Sequence, residues 1–430
     1  RANWLRSFQN GKLKQSENGF LPCNTVTGNC ADVIDTLAPF MAGNENSCSD
    51  FQKIFVAGDV RANEQPGLLA FHTLFVREHN LICNELLNQG LTSDEVIYQK
   101  AKRMVIGKFQ AIVYNELLPA LGVHLDNYSG YDNNMKPDIY NIFSTAAFRL
   151  GHTMVMDNML LLDNNCQPII SNTGCGPVDG DCSCFTNDVT VNGTANIKDI
   201  FFHPSFVKNT GIEPILKGLS VQTQQEIDGK VVSALRNFLF GAPGSGGLDL
   251  AALNIQRGRD HGLPDYNTVR QYFTGQSISS FSEITNDVDL QNALATAYSN
   301  VNDIDLFVGL LSEQHLSNSS VGVTLHAILK DQFTKLRNCD RYFYKIDPML
   351  SDGERTAIKN TRFSDLIKRN SSLNNISNNV FYSRKCSNDN APHFYVKSIN
   401  THHNAFFEIP VQVENFKNIF EMDVDFTWDS

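Results

Sequence analysis

Residues 68–87, LLAFHTLFVREHNLICNELL, repeat apolar side chains at the spacing of a helix. Leu68, Phe71, Phe75 and Ile82 fall on one face when the segment is wound at 3.6 residues per turn. The pattern predicts an amphipathic helix of about five turns. A chain that contains such a segment is expected to build a helix-rich core.

Other helical patterns follow along the chain. One runs from about Ser93 to Leu118, just before Pro119. Another runs from about Pro137 to Asn158 and is apolar on nearly all sides, so we expect it inside the molecule. Further helices are predicted at about 214–240, 264–274, 287–299 and 319–337. The predicted fold is mainly α, a single large helical domain with few short strands.

Three regions differ in composition. Residues 1–57 are rich in Asn, Gly, Ser and Cys and predict a disulfide-tied N-terminal arm. No Pro-rich, Gly/Ser-rich or like-charge linker is evident between Arg61 and Tyr344, so residues 58–385 predict one core domain. Residues 386–430 alternate aromatic and polar side chains, which predicts a C-terminal tail with strands.

Charge and hydropathy exclude two classes of partner. The net charge is −11, and the basic residues are scattered among acids, which argues against nucleic-acid binding. No run of eighteen or more apolar residues occurs, so we expect no membrane span. The sequence begins with Arg1 rather than Met, so we interpret it as a mature product, a processed chain or a fragment.

Cysteines and glycosylation sequons favour a secreted protein. The chain has ten cysteines, several crowded in loop sequence, and disulfides are the favoured state over a metal site at Cys182 and Cys184. A zinc site on His72 and His79 is disfavoured, because no HExxH pattern occurs. Asn-X-Ser/Thr sequons lie at Asn127, Asn192, Asn318, Asn370 and Asn375.

The sequence FRLGH, residues 148–152, places a histidine one turn after an arginine within an apolar segment. His152 and Arg149 could together face a flat anionic cofactor. Taken alone, the motif is weak, because a lone buried histidine is more often a hydrogen-bonded core residue than a ligand.

Three other motifs are dense in polar residues. AGDVRANEQP places Arg61 and Glu64 three positions apart, suited to one ligand or to a plain surface pair. ALNIQRGRDHGLPDYN, residues 252–267, is either functional or a polar turn that joins helices. In VNDIDLFVGLLSE, Asp303 can accept the outer N–H of a liganding histidine or cap a helix.

These motifs, HTLFVREHN, FRLGH, LNIQRGRDHGLP and DIDLFVG, resemble those of the animal haem peroxidases, the family of myeloperoxidase, lactoperoxidase, thyroid peroxidase, peroxidasin and peroxinectin. They occur in the family's order, and the resemblance covers about residues 1–385. It implies a secreted enzyme that uses H2O2 to oxidise halide, thiocyanate, phenols or tyrosine side chains.

The resemblance also implies roles for individual residues. His152 would be the proximal axial ligand of the iron of a b-type haem, and Arg149 would pair with a haem propionate. Asp303 would be the partner of the proximal histidine, where the family usually has Asn, and a carboxylate there would lower the reduction potential. Arg61 would be the distal arginine that stabilises charge on the departing peroxide oxygen.

Two more residues bear on covalent attachment. Glu64 matches the carboxylate that forms an ester with a haem methyl in this family. Gln65 stands where myeloperoxidase has the methionine of its sulfonium link, so we expect no such bond and no easy oxidation of chloride.

The family's distal-histidine motif, Gly-Gln-x-x-Asp-His-Asp, and its calcium loop are not found in this sequence. His261 belongs to the QRGRDHG motif and is not expected to replace the distal histidine. We therefore expect the distal histidine and calcium from an upstream segment or chain of the same precursor. Without that base, peroxide cleavage would slow by a factor of about 10² to 10⁴.

A different class of function stays open. The chain could be a catalytically impaired peroxidase-like protein of the extracellular matrix or of cell adhesion. No RGD or KGD tripeptide occurs, which disfavours this alternative.

Overall fold

The computed structural model describes residues 1–43, 54–169, 193–240 and 247–384, together with the backbone of short strands elsewhere. Within these residues the fold is mainly α, as predicted. The α-helices are Ala2–Leu5 (α1), Pro66–Asn88 (α2), Asp94–Ile112 (α3), Leu118–Ala120 (α4), Asn141–Thr145 (α5), Pro204–Thr210 (α6), Glu213–Val221 (α7), Ser233–Arg236 (α8), Leu250–Asp260 (α9), Tyr266–Thr274 (α10), Val288–Ala297 (α11), Leu306–Ser312 (α12), Val323–Asn338 (α13), Asp352–Asn360 (α14) and Phe363–Asn370 (α15).

The strands are short and pair antiparallel. They are Asn158–Leu160 (β1), Gly174–Cys175 (β2), Cys184–Phe185 (β3), Thr190–Val191 (β4), Thr194–Asn196 (β5), His393–Val396 (β6) and Val411–Glu414 (β7). The pairings are β1 with β5, β5 with β4, β2 with β3, and β6 with β7. Strands β6 and β7 lie after residue 386, where the composition predicts strands. Most of the tail lies outside the described residues.

Helix α2 confirms the prediction made from residues 68–87. The Gln65 side chain accepts a hydrogen bond from the Gly67 N–H at 2.7 Å, and Pro66 needs no partner at the first helical position. The buried face of the helix packs against α3, α6, α7 and α15. Its position makes α2 one wall of the larger hydrophobic core.

The helix predicted from Ser93 to Leu118 is also confirmed, with one change of winding. Helix α3 ends at Ile112, and Val113–Leu117 forms a π turn before Pro119. Glu116, in this wider turn, accepts the backbone N–H of Phe363 at 2.7 Å. The π turn therefore places a carboxylate at the start of α15, where unsatisfied N–H groups need acceptors.

The prediction of one continuous buried helix from Pro137 to Asn158 is wrong. Helix α5 stops at Thr145, Ala146 leaves helical geometry with φ −129° and ψ −66°, and a 3₁₀ helix spans Ala147–His152. The hydroxyl of Ser144 donates to the carbonyl oxygens of Tyr140 and Asn141, at 3.4 and 3.3 Å. Such local bonds to backbone groups compete with the helix ladder.

The predicted helix 214–240 is wrong over its middle. Only α7 and the short α8 form, and residues 222–232 between them are not helical. The three predicted helices farther along, at 264–274, 287–299 and 319–337, correspond to α10, α11 and α13.

The described residues bury two main hydrophobic clusters. The first gathers around α2, α6, α7 and α15 and includes Phe20, Leu21 and Phe55 of the N-terminal arm. The second gathers around α10, α12 and α13 and includes Leu150. Because the arm contributes to the first cluster, it packs onto the helical core. The divisions after residues 57 and 385 remain predictions.

Helix α7 approaches strand β1 closely at Gly218. A Cβ atom at this position would overlap the backbone carbonyl oxygen of Leu160. Only glycine therefore allows this helix and this strand to lie in contact.

Among the described residues, some cysteines are disulfide-bonded and others are free. Cys23 and Cys30 form a disulfide in the arm, and Cys166 is also disulfide-bonded. Cys83 and Cys339 are free thiols, so the expectation of disulfides does not extend to them. Burial raises the pKa of Cys83 to about 12, which makes this thiol unreactive. In the part of the chain that the structure describes, no helix has the length and apolar character to cross a membrane.

A buried ion pair joins α2 to α3. Glu78 is fully buried and accepts from Lys108 at 2.5 Å and from Asn370 at 2.6 Å, with Arg369 at 3.1 Å. Lys108→Met should lower the free energy of unfolding by about 3 kcal/mol, because it removes one partner of a buried charge. Urea unfolding measures the change.

The control for this variant is Lys198→Met. Lys198 pairs with Asp199 at the surface, so its loss should cost less than about 1 kcal/mol. Equal effects of the two substitutions would contradict the importance assigned to the buried pair.

Candidate functional site

A cavity with a volume of about 1120 Å³ lies against the first hydrophobic cluster. This volume is slightly above that of typical ligand pockets, which range over about 300–1,000 Å³. His152, Arg61 and Glu64 line it, so residues predicted from two separate motifs lie around one space. The apolar lining includes Phe71, Val155, Met159, Phe201, Phe202, Leu216, Leu235, Leu239, Phe240, Leu253 and Phe363.

His152 stands at the end of the 3₁₀ helix rather than inside a long helix. Its Nδ1 lies 2.8 Å from the side-chain Nδ2 of Asn254. Burial, with a smaller contribution from the positive charge of Arg149, lowers the pKa of His152 to about 4. The imidazole is therefore neutral near pH 7, which is the form that binds a metal.

Asn254 is the residue that the sequence analysis missed. It is 1% exposed and lies on α9, which begins where Asp249 accepts the N–H of Ala252 at 3.0 Å. Its Oδ1 accepts Nη1 of Arg149 at 2.6 Å while its Nδ2 faces His152. One buried amide thus holds both functional residues of FRLGH. Its place in the polar ALNIQRGRDHG motif was the available signal.

Asp303, expected from the sequence as the partner of His152, makes no hydrogen bond to the imidazole in the part of the chain that the structure describes, and its role stays a prediction. Asp303 is exposed at the end of the 3₁₀ helix Val301–Asp303, and Asn254 makes the hydrogen bond to the imidazole instead. Asp303 lines a separate cleft of about 150 Å³ beside Asn254. The motifs led us to expect a carboxylate beside His152, but the turn that carries Asp303 places this side chain in the separate cleft.

The neighbouring carboxylate, Asp305, has a clear structural role. It accepts two hydrogen bonds from Arg259, at 2.9 and 2.7 Å, and one from the hydroxyl of Tyr298 at 2.9 Å. These donors, chiefly Arg259, hold its pKa below the ordinary value despite burial. The bidentate pair joins the QRGRDHG motif to the DIDLFVG motif. The contacts of Arg259 therefore agree with the interpretation of residues 252–267 as a polar turn that joins helices.

Arg61 and Glu64 lie in the turn before α2. Arg61 uses its Nε and Nη2 to hold Asp59, at 3.0 and 2.8 Å. Burial raises the pKa of Glu64, and the positive charge of Arg61 opposes that rise. Gln65 caps α2 and also lines the cavity.

Two other histidines named from the sequence, His79 and His261, do not line the cavity. His261 is exposed and its Nδ1 lies 2.9 Å from Oδ1 of Asn141, away from the cavity lining. His79 is buried with its Nε2 2.9 Å from the carbonyl oxygen of Gly11. Within the described ranges, no group of three His, Cys, Asp or Glu side chains is arranged to hold a metal ion.

The family model of the animal haem peroxidases matches residues 1–381. Peroxinectin A of Dictyostelium discoideum is 35% identical over 385 residues, which cover 88% of this chain and 65% of that protein. Mouse myeloperoxidase is 34% identical over 354 residues, which cover 78% of this chain and 46% of that protein. The chain therefore belongs to the animal haem peroxidase family, and it spans about two thirds or less of these relatives.

Solved structures agree with this assignment. Peroxidase A from Dictyostelium discoideum superposes with a TM-score of 0.74 at 33% identity and covers 88% of this chain and 68% of its own. The fatty acid alpha-dioxygenase of Oryza sativa superposes with a TM-score of 0.63 at 21% identity, covering 86% of this chain and 61% of its own. The second likeness is one of fold.

The pair of Asp59 and Arg61 should contribute to stability in a pH-dependent way. The hydrogen bonds from Arg61 lower the pKa of Asp59 from 3.8 to about 2. A depressed carboxyl pKa stabilises the folded state above pH 3.8, and this contribution is lost as the pH falls toward 2. The stability difference between the wild type and Asp59→Asn should therefore shrink over that range.

Urea unfolding from pH 5 down to pH 2 checks this expectation. The difference should stay below about 1 kcal/mol, because the Arg61 side chain is largely exposed. In an Arg61→Met background the effect of Asp59→Asn should be weaker. If the stability difference between the wild type and Asp59→Asn grew as the pH falls, the lowered pKa assigned to Asp59 would be contradicted.

Proposed function

We propose that this chain is the major part of a secreted haem peroxidase, which uses H2O2 to oxidise a halide, thiocyanate or a phenolic or tyrosyl donor. The observation that carries the proposal is a neutral imidazole, His152, held by a buried amide at the wall of a large apolar cavity. Family membership supports the same class of chemistry.

The residues present fit a b-type haem. A porphyrin face is apolar and needs apolar walls, which the cavity provides. The ring nitrogen of His152 that does not face Asn254 would bind the iron, and Arg149 beside it would pair with a propionate. Glu64, at the cavity wall, would form the ester link to a haem methyl. When bound, haem supplies the redox centre that reacts with peroxide.

Asn254 would set the state of His152. A histidine that binds metal through Nε2 carries its proton on Nδ1, which then needs an acceptor. The amide oxygen of Asn254 can serve if the amide turns, and this turn would release Arg149 from that oxygen. Asn254 is thus proposed as the positioning residue that Asp303 was expected to be.

Arg61 would act on the peroxide side of the cavity. Asp59 holds its Nε and Nη2, which leaves Nη1 as the donor toward a ligand. A fixed guanidinium can stabilise negative charge on the departing oxygen.

The base that moves the peroxide proton would come from an upstream segment of the same precursor, together with calcium. The disulfides in this chain and the kinship with peroxidasin and myeloperoxidase support an oxidising, secretory location. The second candidate, an adhesion or matrix protein, is favoured by exposed apolar side chains on the arm. Val33, Leu37 and Phe40 are 74%, 84% and 76% exposed.

Absorption spectra of the purified natural protein, with and without H2O2, test the proposal, and intact-mass analysis identifies every chain present. A Soret band that shifts on adding peroxide is the expected result. A haem band that does not respond would favour the adhesion protein. No Soret band would exclude His152 as a haem ligand in this protein.

Substitutions at Asn254 separate its role from that of Asp303. Asn254→Leu should weaken haem binding about 10- to 100-fold, because the imidazole loses its hydrogen-bond partner. Asn254→Asp should retain haem and lower the reduction potential, since a carboxylate gives the imidazole more negative charge. Haem titration and spectroelectrochemistry measure the two effects.

Asp303→Asn is the matched control. Asp303 is exposed and makes no hydrogen bond to His152 in the described structure, so the potential should not change. A shift with Asp303→Asn but none with Asn254→Asp would restore the prediction made from sequence.

A further inference from the structure

Three of the eight methionines lie within six residues of one another, immediately after His152. Met154, Met156 and Met159 all line the cavity that His152 lines. Their thioethers are the side chains of this wall that peroxide-derived oxidants attack most readily. The mechanism proposed above assigns them no task.

Gln225 holds the methionine segment at two points. Its backbone N–H donates to the carbonyl oxygen of Met154 at 3.1 Å, and its side-chain amide donates to Sδ of Met156 at 3.1 Å. Met159 is held in β1 and is 6% exposed. The backbone at Met154 and the side chain of Met156 are therefore fixed, and the segment forms part of the wall of the cavity that His152 also lines.

Exposure alone would favour a different methionine. Met349 is 44% exposed and lies outside this cavity, between α3 and α14, where its carbonyl oxygen accepts from Lys100. Peroxide in bulk solvent would reach Met349 more easily than the half-buried Met154 and Met156. Oxidation of Met154 and Met156 before Met349 would therefore indicate an oxidant that forms in the cavity rather than in bulk solvent.

We propose that Met154 and Met156 are sites of self-modification, which accept oxygen from the oxidant generated in this cavity; the inference rests on the proposed peroxidase function. In the net reaction, the oxidant generated in the cavity transfers one oxygen of H2O2 to sulfur, so that an S–O bond forms and the O–O bond of the peroxide is broken. The other oxygen leaves as water with both protons. The thioether is oxidised by two electrons to the sulfoxide, and H2O2 is reduced by two.

The modification changes the chemistry of the cavity wall. A sulfoxide is polar and accepts hydrogen bonds, whereas the thioether that it replaces packs against apolar neighbours. Oxidation of Met154 or Met156 therefore places a polar group on a mainly apolar surface beside His152. An apolar donor that uses this surface would bind more weakly after the enzyme has turned over.

The test uses the natural haem-loaded protein, treated with H2O2 in small steps and digested for peptide mass spectrometry. Sulfoxide at Met154 and Met156 should form about tenfold faster than at Met349 or more. Guaiacol, a phenolic donor, should slow oxidation of the cavity methionines and leave Met349 unchanged. His152→Ala, which loses the proposed ligand, should reverse the order so that Met349 reacts first.

Two results would overturn the inference. If the protein consumes H2O2 while Met349 is oxidised as fast as Met154 and Met156, the self-modification is wrong and the peroxidase function stands. If no Soret band is present and H2O2 is not consumed, the peroxidase function fails and the inference fails with it. The haem spectrum and the peroxide assay distinguish the two cases.

Discussion

The two hydrogen bonds of the Asn254 side chain organise the site. One faces the imidazole of His152 and the other holds the guanidinium of Arg149, and the amide that makes them is almost completely buried. A buried amide with only one partner would cost about 1–3 kcal/mol, so the position of each partner constrains the other. Helix α9, which carries Asn254, is in turn fixed by the bidentate pair of Arg259 and Asp305.

This arrangement explains how distant motifs act together. The turn before α2, the 3₁₀ helix with His152, helix α9 and the start of α12 are far apart in sequence. Hydrogen bonds between charged or amide side chains connect the last three, while hydrophobic packing of α2 brings the first to the same cavity. The polar contacts give direction, since they have fixed geometry, and the apolar contacts supply most of the stability.

Features that depend on the local spacing of residues could be predicted from the sequence, whereas features that depend on particular contacts could not. Helix α2 was predicted because its apolar spacing alone identifies it. The helix around FRLGH was predicted too long, because the backbone leaves helical geometry at Ala146 and hydropathy does not register this change. Within the site, Arg61, Glu64 and His152 line one cavity. The roles of these residues remain proposals.

The sequence led us to expect Asp303 beside His152, but the structure places Asn254 there, and this difference has another cause. Both are polar residues in motifs of the same set, and either could face a histidine when only the sequence is considered. The choice depends on which way a 3₁₀ turn and a helix face after packing, and this is a tertiary property. The residue types therefore limited the candidate partners of His152, but only the structure shows which side chain makes the hydrogen bond.

Gly218 sets a limit on how this cavity can change. Strand β1, which carries Met159 in the cavity wall, lies against α7 only because residue 218 has no side chain. Even a methyl group there would push the strand away from the helix. A chain under selection for a new donor could alter the lining residues one at a time, but the separation of this wall from α7 is not free to vary. The pocket's chemistry can diverge while its breadth on this side stays constant.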